Sequence, residues 1–154
     1  MQATLELEGV APVDAAAVEA REREVRAKLR GFFHGDLTAD PPVPGASPAS
    51  CDVVMSNYCL EAIPEADRFE ERVANVVALL RPGGRLVVQF TRDMASYPVG
   101  AVDFPVLQVT EDDFLRLLPR HGFDVASIEY EVVGAEPGLD RSYASFVMLG
   151  ATKA

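Results

Sequence analysis

Cysteine and histidine each occur only twice in this sequence, and basic residues number 14 against 24 acidic ones. Each shortage removes a class of function. Cys51 and Cys59 lie in or beside one apolar run, not at a spacing that builds a disulfide framework, so both are expected as free thiols in a reducing, cytoplasmic setting. His34 and His121 are far apart and have no cysteine or carboxylate at ligand spacing, which argues against a metal site. No Ser/His/Asp arrangement with a nucleophile elbow and no phosphate-cradling glycine loop is visible, so hydrolase and kinase chemistry are set aside. With a formal charge of −10 and no basic patch, the surface would repel a nucleic-acid backbone. The opening MQATLELEG is neither basic nor strongly apolar, and no run approaches a membrane span; secretion and membrane insertion are not expected.

What is present is enough to fold. At 154 residues and 49% apolar composition, the natural reading is one α/β domain, with an N-terminal arm and helix over 1–30 and a core over 31–154. The chain is organised around Cys51 to Phe90. Cys51 to Met55 is short and rich in β-branched residues, which predicts a strand buried on both faces. Ser56 to Ile63 mixes polar and aromatic side chains where a parallel strand would meet the crevice at its carboxyl end, so a ligand site is expected there. Pro64 suits a first helical turn, and Phe69, Val73, Val76, Val77 and Leu80 fall on one helical face. Arg81-Pro82-Gly83-Gly84 ends that helix, and Leu86 to Phe90 is the second strand of a βαβ unit.

The flanking segments read less sharply. Thr4 to Gly9 alternates and predicts a short strand or extended arm. From an Asp14 N-cap, residues 15–30 predict a surface helix with Glu19/Arg23 and Glu24/Lys28 pairs. Gly31 to Leu37 reads as a strand ending in Asp36, and Thr38 to Ser50 as loop. Thr110 followed by Glu111, Asp112 and Asp113 opens a helix whose buried face is Phe114, Leu117 and Leu118, closed by His121-Gly122. Val125 to Val133 and Tyr143 to Thr152 predict two antiparallel strands.

Three blocks, Ser56-Asn57-Tyr58-Cys59-Leu60-Glu61-Ala62, Leu80-Arg81-Pro82-Gly83-Gly84 and Ser96-Tyr97-Pro98-Val99-Gly100, together resemble the C-terminal half of class I S-adenosylmethionine-dependent methyltransferases. Within these, the resemblance is to the group that methylates nicotinamide, phenylethanolamine and thioethers. It implies a Rossmann-like sheet lacking its first two strands, with an antiparallel C-terminal hairpin. It also implies S-adenosylmethionine as cofactor, without a metal. Asp36 and Leu37 would meet the adenine, and Ser56, Asn57 and Cys59 would lie along the cofactor. Glu61 would be the catalytic carboxylate contacting a substrate amine, binding its cation or accepting the released proton, with Tyr58, Asp93, Tyr97 and Asp140 completing the acceptor pocket. Phe90 and Val106 stand where nicotinamide-specific members place polar groups, which disfavours nicotinamide.

Each acid also has a plain structural reading: Asp36, Asp93 and Asp140 as turn residues, Glu61 as a helix cap. The resemblance further implies a glycine-rich turn and a ribose-binding acid that this sequence does not show, and a gap in the sheet beside Cys51 to Met55. Either Gly31 to Leu37 closes onto that strand, or a homodimer or a complementary chain occupies the edge. The leading expectation is the substrate half of a small-molecule amine N-methyltransferase. The rivals are a non-catalytic binding or regulatory protein and a cofactor-independent isomerase or cyclase.

Overall fold

A computed structural model of the chain describes residues 4, 6, 8, 9, 11, 14–134 and 145–154. It divides into two compact units, Met1–Phe33 and His34–Ala154. In the first, α1 spans Ala15–Lys28; the Asp14 carboxylate accepts from the Ala17 N–H at 2.8 Å, and no residue of the helix is buried. Glu19 and Glu24 pair with Arg23 and Lys28 at 3.7 and 2.6 Å, as their spacing predicts. The helix stops at Lys28, short of Arg30, because Leu29 turns to extended backbone. Thr4 and Glu6 are helical, not extended, and the Glu8 N–H donates to the Thr4 carbonyl at 3.0 Å.

The second unit carries the sheet. Its strands are β1 (Cys51–Asn57), β2 (Leu80–Arg92), β5 (Glu129–Gly134) and β6 (Ser145–Thr152), in the order β1-β2-β6-β5. β1 and β2 run parallel, and β6 is antiparallel to both β2 and β5. Two helices, α2 (Phe69–Ala78) and α3 (Glu111–Leu117), connect them, and a separate hairpin is made by β3 (Ser96–Val99) and β4 (Val102–Pro105). None of the described helices is long and apolar enough to cross a membrane.

Both helices contribute to one core. Phe69, Val73, Val76 and Val77 of α2 and Phe114 and Leu117 of α3 pack with Leu86, Val88 and Phe90 of β2 and Val147, Leu149 and Ala151 of β6. The Phe114 ring centre lies 5.0 Å from that of Phe90 and 5.6 Å from that of Phe69, the second contact edge-to-face. The opposite side of the sheet is uncovered among the described residues: Val53 is 56% exposed and Met55 64%. This corrects the expectation that β1 is buried on both faces. Successive strand residues alternate sides, so cover on one side leaves every second apolar residue in water.

Four further expectations change. Gly31 to Leu37 is not a strand and does not close onto β1; the Asp36 N–H donates to the Pro42 carbonyl at 2.8 Å, folding that segment into a turn of its own. Pro64 does not begin the helix, because Ala66–Arg68 is a 3₁₀ turn and α2 starts at Phe69. Pro82-Gly83-Gly84 lies inside β2 as an irregularity between the Cys51/Leu80 and Val53/Arg85 pairs. A Cβ on Gly84 would sit 2.8 Å from the Arg81 carbonyl oxygen and 3.1 Å from that of Asp52, so glycine is needed for close backbone approach. Val125–Ser127 is a 3₁₀ turn, so β5 begins at Glu129. The Thr110 start holds: the Asp113 carboxylate accepts the Thr110 N–H at 2.9 Å and its hydroxyl at 3.0 Å.

One-sided burial gives a measurable asymmetry. Phe114→Ala is expected to lower unfolding free energy by about 3–5 kcal/mol in urea denaturation. Met55→Lys, on the open face of the same sheet, should change it by no more than about 0.5 kcal/mol. Equal losses at the two positions would contradict this burial pattern.

Candidate functional site

The crevice lies where β1 and β2 end side by side, and its geometry follows from that parallel pairing. The ladder continues one residue past β1, with the Tyr58 N–H donating to the Gln89 carbonyl at 2.8 Å. The chain then turns sharply. Tyr58 has φ of 52° and Asp93, just past β2, has φ of 59°; neither is glycine. Two left-handed non-glycine residues at adjacent strand ends are a concentration of strain of the kind found at functional sites.

Glu61 is placed by this turn. It is 2% exposed, its carbonyl accepts the Leu107 N–H at 2.8 Å, and its Oε1 accepts the Thr91 N–H at 3.2 Å. Its Oε2 is buried with no hydrogen-bond partner. Burial raises its pKa above the ordinary 4.5, opposed by its own and the Thr91 backbone N–H groups. The loop is secured from beneath by Arg72 of α2, fully buried, whose guanidinium donates to the Ile63 and Glu65 carbonyls at 3.0 and 3.1 Å. Desolvation lowers the Arg72 pKa.

A cavity of about 310 Å³ opens beside Glu61, lined by Tyr58, Glu61, Ala62, Thr91, Met94, Tyr97 and Val106. Tyr97 comes from the β3–β4 hairpin, where its ring stacks on Phe104 with centres 5.5 Å apart. The Tyr58 hydroxyl accepts from Gln89 Nε2 at 2.6 Å. Thr91 and Tyr97 add hydroxyl groups, and Ala62, Met94 and Val106 make up the apolar wall. A larger hollow of about 400 Å³ lies on the open sheet face over Val87 and Met148, but none of its lining residues carries a buried unpartnered polar atom.

The structure thus brings together Tyr58, Glu61 and Tyr97 from among the predicted site residues. Asp93 does not line the cavity; its side chain is largely exposed, 3.9 Å from Arg92. Asp140 lies outside the described residues. Ser56 is buried at the end of β1 with its hydroxyl unpartnered, Asn57 is exposed, and Cys59 Sγ lies 3.1 Å from the Asn57 carbonyl. Asp36 Oδ1 accepts from the Thr38 N–H at 2.8 Å and its hydroxyl at 2.7 Å. The hydroxyl bond first, then the backbone bond, lowers the Asp36 pKa. Leu37 packs on the core edge, and Asn75 of α2 ties the Leu37 and Ala39 carbonyls at 3.1 Å each. Thr91 and Met94 were not singled out in the sequence. The rule that picks Glu61, position just past a parallel strand, reaches Thr91 as well, since Thr91 directly follows the Phe90 at which the sequence reading ends the second strand.

Among the described residues, no group of three His, Cys, Asp or Glu side chains is placed to hold a metal. For an adenine-containing cofactor the fit is partial. Asp36 retains a second carboxylate oxygen for a nucleoside, while the Ser56 hydroxyl is unpartnered but buried. No glycine-rich turn among the described residues offers the amide cradle that an amino-acid carboxylate takes.

The parallel β1–β2 pair with a helix crossover and a crevice at its carboxyl end is the arrangement of a Rossmann-like α/β sheet, and the solved structures it resembles include methyltransferases. A SAM-dependent methyltransferase from Methanosarcina mazei superposes with a TM-score of 0.59 at 16% identity, covering 92% of this chain and 79% of that one. Residues 1–153 match the NNMT/PNMT/TEMT family, and the chain belongs to it. Phenylethanolamine N-methyltransferase of Homo sapiens is 29% identical over 125 residues, which is 78% of this chain and 44% of that protein. Indolethylamine N-methyltransferase of Mus musculus is 30% identical over 105 residues, 68% of this chain and 38% of that protein. The chain therefore spans less than half the length of these curated relatives.

The raised Glu61 pKa has a stability consequence with a definite sign. The folded state holds the proton to higher pH than the unfolded chain. The contribution of this group is therefore fully present below the unfolded value of 4.5 and is lost as pH rises through the higher folded value. Glu61→Gln removes that loss. Its melting temperature relative to the unsubstituted protein should be higher at about pH 8 than at about pH 4, and a pH-independent difference between the two melting curves would refute the raised pKa.

Proposed function

We propose that this chain carries the acceptor side of a small-molecule amine N-methyltransferase, with Glu61 as the group that receives the amine. The observation that carries the reading is the buried Glu61 carboxylate, with one oxygen unpartnered, beside an apolar cavity. An unpartnered buried carboxylate is costly, and an amine N–H is the group that relieves it most directly. The two relatives named above act, by their names, on an arylethyl-type amine, and Tyr58, Met94, Tyr97 and Val106 supply apolar walls against which such a body packs. Phe90 is fully buried in the core and Val106 is apolar, which supports an amine over an amide-bearing ligand.

S-adenosylmethionine, when bound, supplies an electrophilic methyl group on a sulfonium. The work left to these residues is to hold the acceptor nitrogen in line and to take the proton released as the N–C bond forms. A carboxylate whose pKa is raised by burial accepts a proton more readily than an exposed one. The exposed second oxygen of Asp36 and the neighbouring Leu37 support an adenine contact, and we assign Ser56, Asn57 and Cys59 to the rim along the cofactor. The remaining cofactor contacts we assign to a polypeptide that pairs in parallel with the open edge of β1. It would carry the portion of the family's length that these residues do not match, with a helix over Val53 and Met55. A second copy added about a two-fold axis perpendicular to the sheet would extend the edge and leave both apolar faces bare.

The test is calorimetric titration of the 154-residue protein with 2-phenylethylamine. Saturable binding that weakens at least about tenfold in Glu61→Gln is expected, the size of a lost charge-assisted hydrogen bond; equal affinity for both proteins would remove Glu61 from the amine site. In a parallel titration S-adenosylhomocysteine should not saturate below roughly millimolar concentration, about 4 kcal/mol. Micromolar binding would mean that these residues hold the cofactor unaided.

A further inference from the structure

Thr91 stands at the end of β2 with its two polar groups in different circumstances. Its N–H is engaged by Glu61 Oε1 at 3.2 Å, while its hydroxyl is buried and has no partner. Glu61 Oε2 is likewise without a partner, no hydrogen bond joins it to the Thr91 hydroxyl, and both residues line the same cavity. The other polar groups of the lining are the hydroxyls of Tyr58, which accepts from Gln89, and of Tyr97; Ala62, Met94 and Val106 are apolar. One wall of the cavity therefore holds two unmet oxygens on adjacent residues, a carboxylate and a hydroxyl.

We propose that the Thr91 hydroxyl is a specificity-determining acceptor which, together with Glu61 Oε2, selects amines that carry at least two N–H groups. The proposal rests on the amine reading above and adds the degree of substitution at nitrogen. One N–H donates to the carboxylate and another to the hydroxyl oxygen. Bound as ammonium ions, primary and secondary amines carry three and two N–H groups, enough to meet both oxygens. Each methyl added removes one N–H. A tertiary ammonium retains a single N–H and leaves either the hydroxyl or the carboxylate oxygen buried and unmet, a penalty that discriminates against it. The site is thus built to favour primary and secondary amines and to disfavour repeated methylation.

The experiment is titration of the 154-residue protein with 2-phenylethylamine and its N-methyl and N,N-dimethyl derivatives, using the unsubstituted chain, Thr91→Val and Thr91→Ser. Valine keeps the shape and the backbone N–H that holds Glu61, so a merely structural role for Thr91 would shift all three ligands alike. The expected result is a preference of roughly tenfold for the first two amines over the dimethyl one. That preference should be lost in Thr91→Val and restored in Thr91→Ser. Should Thr91→Val not fold, the ligand series on the unsubstituted chain and Thr91→Ser still decides the matter. Equal affinity for all three amines, or a preference that survives in Thr91→Val, overturns the role of Thr91 while leaving amine binding intact. Failure of any amine to bind overturns both readings.

Discussion

Glu61 fastens three segments to one another. It sits in the loop after β1, its carboxylate takes an N–H from the end of β2, and its carbonyl takes one from Leu107, just past the β3–β4 hairpin. Burying a carboxylate is unfavourable unless hydrogen bonds offset the lost hydration, and here one oxygen is compensated while the other is not. Arg72 enters the same region from α2 and spends its charge on two loop carbonyls, over the face of Phe69 at 5.9 Å. The crevice is therefore held by buried polar groups whose partners are backbone atoms. Such contacts fix position tightly, because the main chain cannot rotate away as a side chain can.

That reliance on backbone partners explains how much was legible in the sequence. The βαβ order, the apolar face of α2, the Thr110 start and the antiparallel final strands are set by periodicity and local chemistry, and they stand in the structure. Gly31 to Leu37 failed because a strand requires a partner, and composition does not say whether one is present. Asp36 illustrates the same limit at the level of a side chain: a carboxylate two residues before a threonine can always bond its own turn, and here it does. Glu61 was found by its position after a strand, whereas its burial and its link to Thr91 depend on a residue 30 positions away.

The sheet shows two standards of packing. On the helix side, four phenylalanines and the aliphatic residues of β2 and β6 exclude water, and β2 is central with ladders on both edges. On the other side, Val53, Met55 and Met148 remain in water, and the outer edge of β1 carries no ladder among the described residues. A parallel strand is ordinarily found with both faces covered. The acidic character of the chain works against non-specific contact at this surface through charge repulsion, and the Arg85–Glu129 pair places opposite charges on its far side.

The β3–β4 hairpin stands outside the main sheet, held to its own strand pairing and the Tyr97–Phe104 stack, with nearly every residue exposed. Its ends return to the body at neighbouring points, where the Val106 N–H donates to the Ala95 carbonyl at 3.0 Å. It is in effect a cassette. Its residues can be exchanged through evolution or by grafting to resurface one wall of the cavity, while the ladder between β2 and β6 and the packing around Phe114 are left as they are.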